Sequence, residues 1–288
     1  MNFLFSRTKK INVEQQLMTS TDMPHTNLRC IIHSISETGP VRNHNEDQVL
    51  TYYFNDVADD VLCIVADGMG GHSAGEVASN IACQTIQSYL SNHVNESIEK
   101  AMNQAFQLAH KTIVQTGDEN PAQKGMGTTA TAVRIKNNQL YFAHVGDSRL
   151  YQVQHGQMQQ LSKDHSLVYQ MYEKGEISKD QLETHPMKNV LLQALGTAQS
   201  IETQISATPI NCSIKDKFLL CSDGLHGTFS DEQLTDILNM NDPNFIIECL
   251  KTLATARHAN DNFSAILITF SDEVITASPI TKEQNIMS

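Results

Sequence analysis

Residues 61–75 constrain the fold of this chain more than any other stretch. Val61-Leu62-Cys63-Ile64-Val65-Ala66 is an apolar run of strand length that stops at Asp67. A glycine-dense turn, Gly68-Met69-Gly70-Gly71, follows, and Ser73-Ala74-Gly75-Glu76 then opens a helix-like stretch with the spacing of a capping box. A fold built this way presents a carboxylate at the open end of a sheet. Asp67 is therefore either a turn residue or one ligand of a metal site, and the choice depends on whether other aspartates arrive by the same route.

Strand signals lie at Arg29–Ser36, Gln48–Phe54, Ile201–Ala207, Lys217–Gly224 and Phe263–Phe270. Between them, Thr128–Ile135, Leu140–Val145, Ser148–Val153 and Met158–Leu161 form a run of short strands with turns at Asn137-Asn138, Gly146-Asp147 and His155-Gly156, which reads as an antiparallel meander. Helical periodicity marks Val77 to Leu90, where Ala78, Ala82, Ile86 and Leu90 lie alongside Val77, Ile81 and Tyr89. A second stripe runs through Ile98, Met102, Phe106 and Ile113. Two more helices are expected at Asp231–Met240 and Pro243–Ala256, the latter capped at Asn241-Asp242 with proline in its first turn. Residues 164–190 are polar and mostly helical with a thin apolar stripe, the pattern of a flap over a sheet edge. The whole order implies antiparallel sheets flanked by helices, with tails at 1–27 and 271–288 around a domain at 28–270.

Aspartates do recur at strand ends. Asp67, Asp223 and Asp147 stand at strand exits, while Asp261 and the pair Glu46-Asp47 stand at entries. In an antiparallel sheet, exits and entries of alternate strands share one end, so these carboxylates can converge. Singly, each is more often a turn residue, because Asp-Gly is a favoured turn pair. Together they repel one another unless cations neutralise them. All-oxygen ligands suit Mg²⁺ or Mn²⁺ better than zinc, and the Gly68 carbonyl is free of a side chain that would block its approach. Two such ions bind phosphate and activate water for in-line displacement. Arg42, a few residues before Asp47, is either a bidentate phosphate clamp or a surface ion-pair partner.

The net charge of -12 argues against nucleic acid and anionic membrane as partners. Six cysteines without a C-x-x-C pair read as buried apolar residues in a reducing compartment. No stretch has the ~18 apolar residues of a membrane span, so a cytoplasmic protein is expected.

Arg42-Asn43-His44-Asn45-Glu46-Asp47, Ala66-Asp67-Gly68-Met69-Gly70-Gly71-His72, Gly127-Thr128-Thr129-Ala130, Val145-Gly146-Asp147-Ser148-Arg149, Ser222-Asp223-Gly224-Leu225 and Asp261-Asn262-Phe263-Ser264 occur in this order. This series resembles the successive motifs of the metal-dependent type 2C serine/threonine protein phosphatases, bacterial branch, over roughly residues 29–270. Asp164-His165-Ser166-Leu167, Glu183-Thr184-His185-Pro186 and Gln193-Ala194-Leu195-Gly196 are similar to that branch's flap. The resemblance implies an α+β fold, an α-β-β-α sandwich of two central antiparallel sheets flanked by helix pairs. It implies two Mn²⁺ or Mg²⁺ ions, with Asp67 shared by both, the Gly68 carbonyl on one, and Asp223 and Asp261 on the other. Glu46 and Asp47 would act directly or through water, and Asp147 with Asp223 would match a weaker third position. Arg42 would hold the phosphate, and activated water would hydrolyse phosphoserine and phosphothreonine on proteins directly, reversing a cognate kinase. A monomer is expected. Some relatives have histidine where Met69 stands; methionine transfers no proton, which leaves His72 or water for that task. Ser264 replaces a commoner threonine.

Other readings are weaker on physical context. Gly71-His72-Ser73-Ala74-Gly75 fits a nucleophile elbow, and Ser73, Asp223 and His258 stand in hydrolase order. The elbow requires its strand immediately before it, and Asp67-Gly68-Met69-Gly70 intervene. Gly125-Met126-Gly127-Thr128-Thr129-Ala130 matches a dinucleotide fingerprint but precedes a β-branched strand instead of a helix. A silent phosphoprotein-binding relative would have lost ligand aspartates, and a small phosphoester remains open as substrate.

Overall fold

The computed structural model describes residues 27–70, 74–197 and 199–272. The strands are β1 (Arg29–Glu37), β2 (Asp47–Tyr53), β3 (Asp60–Met69), β4 (Gly127–Thr128), β5 (Ala130–Lys136), β6 (Gln139–Val145), β7 (Arg149–Gln154), β8 (Gln157–Gln160), β9 (Gln204–Ile205), β10 (Ile210–Asn211), β11 (Lys217–Cys221) and β12 (Phe263–Ser271). The helices are α1 (Ala74–Asn92), α2 (Ile98–Glu119), α3 (Leu167–Glu173), α4 (Asp223–His226), α5 (Asp231–Leu238) and α6 (Pro243–Ala256).

The unbroken apolar run of β3 follows from burial on both faces. Leu62, Ile64 and Ala66 pack in one cluster with Ala78, Ile86, Met102 and Phe106 of α1 and α2. Val61, Cys63 and Val65 point the other way, into a cluster with Phe218, Leu220, Ile266 and Ile268 of a second sheet. That sheet's opposite face carries Leu219, Phe263 and Leu267 against Leu234, Ile246 and Leu250 of α5 and α6. Each such large side chain stabilises by about 1.5–3 kcal/mol on burial. The layers are thus helix pair, sheet, sheet, helix pair, the expected α-β-β-α sandwich.

One sheet has the order β1-β12-β11-β7-β8, and the other β10-β6-β5-β3-β2, with β4 added to β3 and β9 to β6. The pairings are antiparallel. The turns expected at Asn137-Asn138 and His155-Gly156 have positive φ at both residues, 51° and 61°, then 52° and 78°, the conformation that matches strand twist in a two-residue hairpin.

Three expectations need correction. The chain between β6 and β7 is not a hairpin of the meander: at Gly146-Asp147 it leaves one sheet and enters the other. Asp67 does not end its strand, because β3 continues to Met69 and pairs there with β4. Residues 164–190 are not mostly helical. Only α3 and a short turn of 3₁₀ helix at Lys179–Gln181 are, since Val168 alone in α3 is buried and offers little to stabilise more. Ionic contacts hold this flap instead, from Arg149 to Asp164 at 2.7 Å and from Lys179 to Asp231 at 2.8 Å.

No disulfide joins the described cysteines, and all but Cys249 are buried. Among the described residues no helix is long and apolar enough to cross a membrane. Ser73 and His72 lie outside the described residues, as do nearly all of both expected tails.

Candidate metal centre

The site is assembled at one end of both sheets. Asp47 and Asp67 are directly opposed in the β2–β3 register. Crossing of the chain between sheets delivers Asp147, the start of α4 delivers Asp223, and the entry to β12 delivers Asp261. Arg42, Glu46, Asp67, the Gly68 backbone, Asp147, Asp223 and Asp261 line one cavity of about 340 Å³, together with Met69, Asn189 and Leu191. Asp47 is placed behind this wall, fully buried, where its Oδ2 accepts a 2.7 Å bond from the Ser222 hydroxyl.

The scaffold around Asp67 is specific. Its N–H donates to Thr129 Oγ1 at 3.0 Å, and its carbonyl accepts from Thr129 N and Thr128 Oγ1 at 2.9 Å each. Thr129 Oγ1 in turn meets Ser148 Oγ at 2.7 Å. Gly68 donates its N–H to the Glu46 carbonyl at 3.1 Å. A Cβ on Gly68 would fall 2.2 Å from the Gly75 carbonyl oxygen, and one on Gly75 would fall 2.9 Å from both Gly68 O and Glu46 Cδ. These two glycines therefore let the start of α1 press against β3 and hold Glu46 between them.

Asn262 is a clamp that the sequence reading did not single out. Its Oδ1 accepts from Glu46 N at 2.9 Å, while its Nδ2 donates to the carbonyls of Thr38 at 2.9 Å and His44 at 2.8 Å. The signal was present in the Asp261-Asn262 pair, but its partners are more than 200 residues away in sequence. Gly75, Ser222 and Asn189 were likewise missed as site-builders; only the glycine spacing could have drawn notice to the first.

Arg42 makes the ion pair considered for it. It is half-exposed on the cavity wall, and its Nη2 donates to Asp261 Oδ2 at 2.6 Å. Met69 lines the cavity without a titratable group. Asp223 and His258 border a common neighbouring cavity but make no hydrogen bond to each other, so the hydrolase order finds no geometric counterpart in those two.

Electrostatics mark the acids as a group. Burial, then Asp47, Asp223 and Asp147 in turn, push the Asp67 carboxyl well above its ordinary range. Asp47 is raised to about 7 by burial foremost, with Asp223 and Asp261 adding to it and the Ser222 and Ser264 hydroxyls opposing. Burial also raises Asp147, Asp223 and Glu46. Glu46 Oε1, Asp47 Oδ1 and Asp223 Oδ1 are buried with no hydrogen-bond partner. Buried carboxylate oxygens left without donors are costly unless a cation meets them, and an all-oxygen set fits a hard divalent ion. The described carboxylates border a cavity and do not close on one point as a ready-made cage of three or more.

Residues 41–267 match the sequence profile of the family described as protein phosphatase 2C. The chain belongs to that family. It is a metal-dependent phosphoprotein phosphatase. Among its relatives is a serine/threonine phosphatase stp from Listeria welshimeri, 35% identical over 238 residues, a match covering 81% of this chain and 93% of the relative. The protein phosphatase PhpP of Streptococcus pneumoniae is 30% identical over 250 residues, covering 84% and 98%. A solved structure of the catalytic domain of the serine threonine protein phosphatase PstP, in complex with two manganese ions, superposes with a TM-score of 0.74 at 29% identity, covering 84% of this chain and 99% of that one. Phosphatase 2C membership agrees with the resemblance carried by the ordered motifs.

Proposed function

We propose that the acidic cavity is a binuclear Mn²⁺ or Mg²⁺ centre, with a weaker third position, which hydrolyses phosphoserine and phosphothreonine on proteins and so reverses a cognate kinase. The observation that carries this reading is the set of buried, unpartnered oxygens on Glu46, Asp47 and Asp223 beside Asp67. Asp67, the Gly68 carbonyl, Asp223 and Asp261 would hold the ions, Glu46 and Asp47 would support them directly or through water, and Asp147 with Asp223 would serve the third position. When bound, the ions supply Lewis acidity that makes water nucleophilic near neutral pH and a charge that offsets a net-negative protein. Asp67, Asp147 and Asp223, all raised foremost by burial, are relieved by that neutralisation.

Arg42 positions the phosphate. One Nη2–H is committed to Asp261 and Nε donates to the Asn260 carbonyl at 3.4 Å, which fixes the guanidinium at the cavity wall and leaves Nη1 and the second Nη2–H to face phosphate oxygens. Leu191 and Asn189 from the end of the flap border the same space and limit water access on that side. Met69 cannot protonate a leaving oxygen, so that proton comes from water or from His72.

The test is hydrolysis of a chromogenic aryl phosphate with Mn²⁺, with chelator, and after Asp223→Asn. Activity that ends with chelator and with that substitution is expected. Turnover indifferent to both would sink the metal reading, and labelling of Ser73 by a fluorophosphonate would restore the serine hydrolase. The protein is expected to act as a monomer, which sedimentation of the active enzyme checks.

A further inference from the structure

A second cavity, of about 320 Å³, opens beside the acidic one, and Asn189, Asp223 and Asp261 belong to the walls of both. Its outer wall carries Arg257 and His258, from the end of α6, and Lys188 from the flap. In a chain with 20 basic against 32 acidic residues, such a gathering does not follow from composition.

Arg257 is braced. Its Nη1 donates to the Thr228 carbonyl at 2.9 Å and to Gln233 Oε1 at 2.8 Å, and the guanidinium lies 5.0 Å from the centre of the Phe229 ring. Those partners are neutral, and the two bonds leave Nε and Nη2 unused. A planar fork fixed by neutral groups keeps its charge for a ligand and loses little freedom on binding it. His258 adopts a left-handed φ of 55° as α6 ends, which turns the chain along the cavity wall. The charges opposing an anion here are Asp223 and Asp261 on the shared wall and the end of α6. Asp261 is paired with Arg42, and the last carbonyls of α6 are met by the amides of Arg257, His258 and Ala259.

The adjoining cavities are therefore of opposite character, one acidic and suited to cations with a phosphate, one rimmed by cations and open to an anion. We propose that the second cavity is a subsite for an anionic side chain, a carboxylate or a second phosphate, flanking the scissile phosphoresidue of a protein substrate, with Arg257 as its specificity-determining residue. This rests on the acidic cavity being the site of phosphate hydrolysis.

Three phosphothreonine peptides that differ only in their flanking residues, alanine, glutamate or a second phosphothreonine, are assayed with Mn²⁺ beside an aryl phosphate. The wild type is expected to favour the anionic peptides about five-fold in kcat/KM, mainly through KM, as one solvent-accessible charge pair provides. Arg257→Ala removes the preference and leaves aryl phosphate turnover unchanged; Arg257→Lys keeps part of it, and raising salt to about 0.5 M weakens it. A preference for glutamate alone assigns the subsite to carboxylates, and one for phosphothreonine alone assigns it to phosphate. Equal kcat/KM for all three peptides in the wild type, or a preference that survives Arg257→Ala, overturns the subsite. If Arg257→Ala loses aryl phosphate turnover through misfolding, a wild-type preference insensitive to salt overturns it. Wild-type enzyme that fails on aryl phosphate itself overturns the reading of the acidic centre, and the subsite falls with it.

Discussion

Gly75→Ala sets two effects of opposite sign against each other. In a helix, alanine is favoured over glycine by about 1 kcal/mol, and Gly75 is the second residue of α1, so helix propensity alone predicts stabilisation. The structure predicts otherwise. The added Cβ would lie 2.8 Å from Gly68 C and 2.9 Å from Gly68 O and Glu46 Cδ. Two of these atoms are backbone, and Gly68 cannot retreat easily because its N–H is bonded to Glu46 and β3 is paired on both sides. Overpacking of this kind costs about 1–3 kcal/mol, which leaves a net loss of about 1 kcal/mol and a fall in Tm of roughly 2–4 °C. The displaced atoms include the Gly68 carbonyl and Glu46, so Mn²⁺ affinity should weaken about ten-fold or more, the scale seen when support of a metal ligand is disturbed. Calorimetric titration with Mn²⁺ and thermal melts with and without chelator measure both quantities. A variant with unchanged Mn²⁺ affinity and an equal or higher Tm would refute the contact argument and restore simple helix propensity.

Arg42→Ala should raise KM for phosphate esters while calorimetric Mn²⁺ binding persists; unchanged kinetics would remove Arg42 from the site. Asp60→Ala should cost about 3–5 kcal/mol in denaturant unfolding, because Arg134, 2% exposed, donates to the Asp60 carboxylate at 3.0 and 3.1 Å and would be left a buried charge without it. Turnover per folded molecule should stay the same, since that pair borders none of the acidic cavity. For pH, Asp47 is held near 7 against an ordinary 3.8, so between those values the fold binds a proton that the unfolded chain does not. Stability of the chelated protein therefore falls as pH rises towards and through about 7; Asp47→Asn should flatten the trend, and a Tm that rises over that interval would contradict it.

What was legible in the sequence had local causes. The strands β3 and β12 announce themselves because both of their faces are buried, and the two primed turns because Asn-Asn and His-Gly suit positive φ. The converging acids were legible because an antiparallel sheet brings exits and entries together. Strand continuation through Asp67 was not, since a carboxylate and a glycine after an apolar run have the local pattern of a strand end, while β4 arrives from sixty residues later to prolong the pairing. The scaffolding roles of Asn262, Gly75 and Thr129 were hidden for the same reason: each is defined by a partner distant in sequence. The sheet change at Gly146-Asp147 imitates a hairpin, and the packing distinguishes it: Ala143 and Val145 of β6 face one helix pair, while Tyr151 and Val153 of β7 face the other.

The pairing of β1 with β12 bears on how such a chain emerges from the ribosome. Arg29 to Glu37 have β12 as their partner strand, matched residue for residue from Ser271 back to Phe263. Among the described residues the first strand made thus waits for the last, and during that wait its edge is open to other chains. Asp261 and the Asn262 clamp come off the ribosome in that same segment, so a polypeptide halted short of it lacks both the mate of Arg42 and the Asn262 bond to the Glu46 amide. The acidic cavity is thus completed only once that segment has been made, however much of the sandwich has formed before it.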